Sequence, residues 1–154
     1  MKALLFYTSA GHGHRKAAEA IAKALLEHGS GKQDIILKDA LELAPAFVRN
    51  GYLSYYFYSV KHVPKFWGWN YEQTDRGLAY HLTFPVRSMF NRLIGGRVLA
   101  EIDRQKPDVV VNTHFFAAEL LARAKREGRI SAHLMTVITD MFPHRFWINR
   151  GTDS

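Results

Sequence analysis

His14 and Arg15 follow the glycines of Gly11-His12-Gly13, and this short run is the part of the chain best equipped for chemistry. An imidazole titrates near neutrality and suits a general base, while backbone amides at the start of a helix attract phosphate oxygens. Gly11 and Gly13 admit positive φ and close backbone approach. Two further imidazoles and a carboxylate stand at comparable places: His114 after Asn112-Thr113, and His144 shortly after Asp140. A glycine turn between strand and helix is by itself ordinary connective structure. Each imidazole can likewise be a hydrogen-bonded loop residue, the plainer account for His28, His62, His81 and His133. A His12-x-His14 metal pair lacks an obvious third ligand, so no metal is expected.

Whether these groups meet depends on the elements that carry them. Apolar residues from 2 to 8 predict a strand, and residues 15 to 28 a helix broken by Gly29-Ser30-Gly31. Ala17, Ala18, Ala20, Ile21, Ala24 and Leu25 give that helix a small-residue face for a sheet. A second strand runs from Asp34 to Lys38 and ends at Asp39. That carboxylate resembles a ribose-binding acid, although an N-cap for a helix starting at Ala40 is the simpler reading. After Gln105-Lys106-Pro107-Asp108, the β-branched run Val109-Val110-Val111 reads as a central parallel strand. A helix over 117–127 ends at Gly128, and a buried strand over 133–139 stops at Asp140. Two β-α-β units predict an α/β fold with a doubly wound parallel sheet. In such a sheet the loops after the strands share one edge, so His14, His114, Asp140 and His144 are expected along one crevice.

Composition narrows the function classes. The 154 residues are 47% hydrophobic and 23% charged, the makeup of one globular domain with a real core. Without cysteine there are no disulfides, thiolate metal sites or thiol nucleophiles, and a reducing, cytoplasmic setting is expected. The apolar run after Lys2 is too short for a signal peptide, and no stretch approaches the roughly 18 residues that cross a bilayer, so any membrane contact is expected to be peripheral. A formal charge of +7 favours polyanionic partners. Zinc-finger spacing, aromatic ribonucleoprotein motifs and a basic recognition helix are all missing, which argues against nucleic acid.

The middle of the chain departs from the alternating pattern. Residues 46–94 hold 13 of the 20 aromatic residues, and they carry Arg49, Lys61, Lys65, Arg76, Arg87 and Arg92 against only Glu72 and Asp75. Rings at headgroup level and cations against anionic lipid make such a segment fit a membrane surface, with Phe66, Trp67, Trp69, Lys61 and Lys65 as its contacts. The alternative is a helical insertion that packs its rings into a local core.

The stretch Ser9-Ala10-Gly11-His12-Gly13-His14-Arg15-Lys16-Ala17-Ala18-Glu19-Ala20-Ile21 resembles the amino-terminal signature of the monogalactosyldiacylglycerol synthase and processive diacylglycerol glucosyltransferase family. The aromatic insertion and Thr139-Asp140-Met141-Phe142-Pro143-His144-Arg145-Phe146-Trp147-Ile148 resemble its later blocks. The resemblance implies the amino-terminal Rossmann-like half of a two-domain, GT-B glycosyltransferase. That half receives a diacylglycerol acceptor at the membrane, while the other half holds most of the nucleotide-sugar, expected to be a UDP-sugar. Residues 1–154 then form one acceptor and membrane domain, with the donor domain absent and the chain alone inactive. On this resemblance His14 is the catalytic base or an acceptor-orienting residue, and Asp140 and His144 meet the acceptor; His114 is expected to join them from its place on the shared sheet edge. Gly11, Gly13 and Arg15 face the donor phosphates, and the protein sits peripherally on the inner face of the cell membrane. His12 varies from the family and receives no role.

Two other classes fit parts of the sequence. Gly11-x-Gly13-x-x-x-Ala17 imitates an NADP-type loop, with Arg15 and Lys16 for a 2′-phosphate, and so suggests an oxidoreductase domain. The aromatic insertion alone suggests a non-catalytic membrane-binding module.

Overall fold

The computed structural model describes residues 1–75, 77–141 and 143–154, without the side chains of Pro64, Phe66, Trp67, Asn70, Tyr71, Leu78, Ala79 and Val86. Arg76 of the basic insertion, Phe142 of the late block, and the Phe66 and Trp67 rings expected at a membrane therefore lie outside the described residues.

Four short apolar runs form the sheet: β1 (Lys2–Tyr7), β2 (Asp34–Asp39), β3 (Val109–Asn112) and β4 (His133–Thr136). All pairings are parallel, in the order β2-β1-β3-β4, so the Val109 run is central, as its uninterrupted apolarity predicts. Helices cover both faces. Ala3, Leu5 and Val111 face α1 (His12–His28) through Ala22, while Leu4, Phe6 and Val110 face the opposite layer. That layer is built by α5 (Phe84–Gln105) and α6 (Phe115–Arg126), which contribute Ile94, Val98 and Leu121. Gly95 lets the two helices approach: a Cβ there would stand 3.1 Å from Leu120 Cδ1. This is the doubly wound, Rossmann-like arrangement expected from the sequence.

Several boundaries differ from the sequence reading, each for a local reason. α1 begins at His12 rather than residue 15, because Gly11 at φ 93° makes the turn and leaves the next residues free to wind. Its inner face is Ala18, Ile21, Ala22 and Leu25, whereas Ala20 and Ala24 are exposed. Asp39 caps a turn, with Oδ1 accepting the Leu41 N–H at 2.9 Å, and no helix starts until Ala46. β4 ends at Thr136. The Val137 N–H still reaches Asn112 O, after which the chain leaves the ladder and Thr139 bonds back to Thr113 O.

The segment 46–94 is almost entirely helical in its described part, as α2 (Ala46–His62), α3 (Pro64–Asp75), α4 (Gly77–Leu82) and the start of α5, with breaks at Val63 and Thr83. α5 then continues to Gln105 as the crossover into β3, a helix the sequence reading did not assign. Among the described residues no helix is long and apolar enough to cross a membrane.

Candidate functional site

β1 and β3 are neighbours, but the chain leaves β1 toward β2 and β3 toward β4. That divergence opens a crevice at their carboxyl ends, the usual ligand position in an open α/β sheet. The first turn of α1 brings His14 to it, and the residue after Thr113 brings His114. Their rings meet edge to face at a centroid distance of 4.3 Å.

His14 is held by one ring nitrogen. Nδ1 lies 3.0 Å from Thr113 O and 2.6 Å from Thr139 Oγ1. A carbonyl oxygen only accepts, so Nδ1 carries the proton and donates. The Thr139 hydroxyl donates to the same Thr113 carbonyl at 3.2 Å, which leaves its oxygen free to accept from His14. In neutral His14, Nε2 then carries the lone pair. It faces Asp140, whose Oδ1 stands 4.0 Å away, while Asp140 Oδ2 accepts the Trp147 indole N–H at 2.8 Å. The arrangement is an imidazole of fixed tautomer with a carboxylate oxygen 4.0 Å from its lone-pair nitrogen.

His114 is different. Its Nδ1 accepts the Phe116 N–H at 2.9 Å and so caps α6, which starts two residues earlier than the sequence predicts because of that cap. Complete burial, assisted by His14, pushes its pKa well below the ordinary imidazole value. His114 therefore stays neutral with its proton on Nε2 and forms a wall of the site.

The cleft measures about 520 Å³, and Ala10, Tyr52, Tyr56, Gly68, Phe115 and Met141 line it with His14, His114, Thr139 and Asp140. The wall is mostly ring carbon, with polar groups gathered at one end. Burial raises the Tyr52 phenol pKa, with Tyr56 and Asp140 adding to the rise. The φ of 93° at Gly11 favours glycine there, and the Tyr56 hydroxyl, 3.2 Å from where a Cβ would lie, would also have to shift slightly for a larger residue.

The other sequence candidates divide. Gly11 forms the turn at the cleft end of α1, and the first turn of that helix has no acidic residue and no side-chain cap. Gly13 is exposed on the same turn, whereas Arg15 lies along the helix with Nε 2.8 Å from Glu19 Oε1. His144 is not brought to the cleft. It is 1% exposed, with Nδ1 accepting the Phe146 N–H at 3.0 Å and Nε2 3.2 Å from Thr74 Oγ1, and so joins the short 3-10 turn Arg145–Trp147 to α3. Trp69, Lys61 and Lys65 are exposed on α2 and α3, away from the lining. Sequence reasoning missed Thr113, Thr139, Trp147, Tyr52 and Tyr56. For Thr139 a signal existed, since a polar residue ends a buried strand beside Asp140.

Comparison with known proteins gives the family. The profile of the monogalactosyldiacylglycerol (MGDG) synthase family matches residues 14–154, beginning at His14 itself. A probable chloroplastic monogalactosyldiacylglycerol synthase of Nicotiana tabacum is 26% identical over 152 residues, covering 97% of this chain and 28% of the relative. The chloroplastic monogalactosyldiacylglycerol synthase of Spinacia oleracea is 24% identical over the same shares. The chain thus spans 28% of the length of the curated relatives it matches. No solved structure matches it. With nine-tenths of its residues inside the family profile, the chain belongs to the monogalactosyldiacylglycerol synthase family.

Proposed function

We propose that this domain binds the lipid acceptor of a GT-B glycosyltransferase, which moves a sugar from a nucleotide-sugar to the free hydroxyl of a diacylglycerol. The observation that carries the reading is the His14 tautomer: Nδ1–H is committed to Thr113 O and Thr139 Oγ1, so Nε2 is the basic atom at the polar end of an apolar cleft. A lipid alcohol needs that combination of a wall for its hydrocarbon and a base for its hydroxyl.

In the proposed reaction the acceptor hydroxyl lies against Nε2. Its oxygen attacks the anomeric carbon as the bond from that carbon to the diphosphate breaks, and its proton passes to Nε2. Asp140, 4.0 Å from Nε2 and steadied by Trp147, favours the imidazolium that results. The diphosphate leaves with the electron pair, facing the amides of Gly11 and Gly13 at the uncapped start of α1. Nucleotide and sugar contacts belong to a second domain. His144 serves this site from behind, through the turn that carries Trp147.

Membrane attachment belongs to the same proposal. Phe47, Tyr55, Phe57, Tyr58 and Trp69 are all at least half exposed on α2 and α3, beside exposed Lys61 and Lys65. This surface suits the headgroup layer of an anionic leaflet, reached peripherally.

The test is His14→Ala in a complete enzyme carrying this domain. Transfer is expected to fall by about a hundredfold or more, with nucleotide-sugar affinity unchanged, because general-base assistance is worth on the order of a hundredfold. Activity within about threefold of the parent would remove the proposed base.

A further inference from the structure

Behind the cleft lies a second, smaller cavity of about 190 Å³, lined by Tyr52, Arg87, Phe90, Phe115, Phe116 and Phe146 together with Asn91 and Glu119. Tyr52 and Phe115 line both spaces, so the cavity adjoins the cleft at those two rings, while His14 lines only the cleft. Its walls are nearly all ring carbon: Phe90 meets Phe116 edge to face at 4.7 Å, and Tyr52 meets Phe116 at 5.4 Å.

The cavity has two charged groups, and they cancel. Arg87 Nη1 lies 3.2 Å from Glu119 Oε2, and the guanidinium is clasped between the Tyr80 and Phe146 rings at 4.3 and 5.0 Å. Arg87 Nε is buried with no hydrogen-bond partner among the described residues. Nε has almost no accessible surface and so does not meet the cavity; the neutralised ion pair leaves a ring-lined space without net charge, which suits an uncharged hydrocarbon chain. A free carboxylate would meet Glu119 with no net positive charge to offset the repulsion. His144 braces the far wall: it is buried, accepts the Phe146 N–H, and holds its ring 3.9 Å from that of Phe146.

We infer that this cavity receives the first methylenes of one acyl chain of the acceptor, so that affinity grows with chain length only until the cavity is full. The inference rests on the acceptor reading above and makes it specific: the headgroup hydroxyl lies at His14, and the chain passes between Tyr52 and Phe115. The bare chain length the cavity accommodates is a few methylenes, after which the hydrocarbon must leave past Asn91.

The experiment uses the 154-residue chain with short diacylglycerols below their aggregation limit. Affinity for dibutyryl-, dihexanoyl- and dioctanoylglycerol is measured by calorimetry, with octanoate as the free-acid arm. Dioctanoylglycerol bearing a diazirine near the end of one chain is then photolysed and its attachment mapped by mass spectrometry. Affinity should rise about fourfold for each methylene that enters and then level off. Octanoate should bind far more weakly than dioctanoylglycerol, and the label should fall on Phe90, Asn91 or Phe116. Asn91→Trp, checked for native circular dichroism, should move the plateau to shorter chains, and the label on the unaltered protein stands even if that variant fails to fold. Label confined to Tyr56, Gly68 and Met141, or octanoate binding as tightly as the diester, would overturn the acyl cavity and leave the acceptor cleft standing. Absence of saturable binding by any acylglycerol would overturn both.

Discussion

The two halves of the molecule use their aromatic and apolar residues in opposite ways. Around the sheet, Phe6, Leu4, Leu121 and Trp147 are almost wholly buried, and the polar groups of the site are fixed by hydrogen bonds from three loops. On α2 and α3, Phe47, Phe57, Tyr58 and Trp69 face outward. Only some rings of the insertion, Tyr52 and Phe90 among them, turn in to pack on Phe116. The same residue type is core in one region and exposed in the other. What decides is whether a strand or helix stands opposite it, so fixed side chains gather at the proposed catalytic cleft and exposed hydrocarbon at the proposed lipid surface.

Substitutions should separate the regions by what they damage. Phe6→Ala removes a fully buried ring from the sheet and is expected to cost about 3–5 kcal/mol in urea unfolding. Next in size, Lys61→Ala with Lys65→Ala should leave stability intact but weaken partition onto anionic vesicles by about thirtyfold at low salt, at about 1 kcal/mol per lysine. Flotation that ignores both the lysines and the salt concentration would dissolve the contrast. Thr139→Val removes the 2.6 Å partner of His14 Nδ1, and a complete enzyme should lose about tenfold in kcat, the worth of one good hydrogen bond. Nitrogen NMR of the His14 ring should still report the Nδ1–H tautomer, because Thr113 O remains to accept, with that nitrogen's signal moved by the lost partner.

Acid should act on the sheet half. The folded-state pKa of His114 is depressed, so its contribution to stability is complete above the ordinary imidazole pKa of about 6.5 and is lost as pH falls below it, where the unfolded chain takes the proton first. The loss should approach about 1.4 kcal/mol per pH unit and cease below the folded pKa. It should be absent in His114→Asn, as urea midpoints between pH 7 and pH 5 would reveal. The smallest effect belongs to Phe57→Ser on the outer face of α2, which should shift stability by no more than about 0.5 kcal/mol.

Much of the sheet half was legible in the residues. Val109-Val110-Val111 has too little polarity for any place but the centre, and parallel strands oblige the loops bearing His14, His114 and Asp140 to share an edge. The insertion resisted reading because its rings follow no clear period, so nothing local separates Tyr52, which packs on Phe116, from Tyr58, which faces water. His144 misled for a related reason. Proximity to Asp140 in sequence suggested a shared cleft, but His144 caps the 3-10 turn Arg145–Trp147 that follows it, and its side chain is drawn into the interior while Asp140 stays at the cleft. Thr139 went unassigned because its importance lies in which atom of His14 it touches, and spacing carries no information on tautomers.

Trp147 gives the site an optical consequence. Its indole is sealed from water, bonded to Asp140 and 6.2 Å from the His14 ring, whereas Trp69 stands 56% exposed on α3. The first should emit toward the blue and be dimmed by a protonated imidazole nearby, the second toward the red and shift when it enters lipid. Emission spectra of variants in which Trp67 and then Trp69 are replaced by Phe assign the bands, and can thus follow events at the cleft and at the outer helices in the same sample.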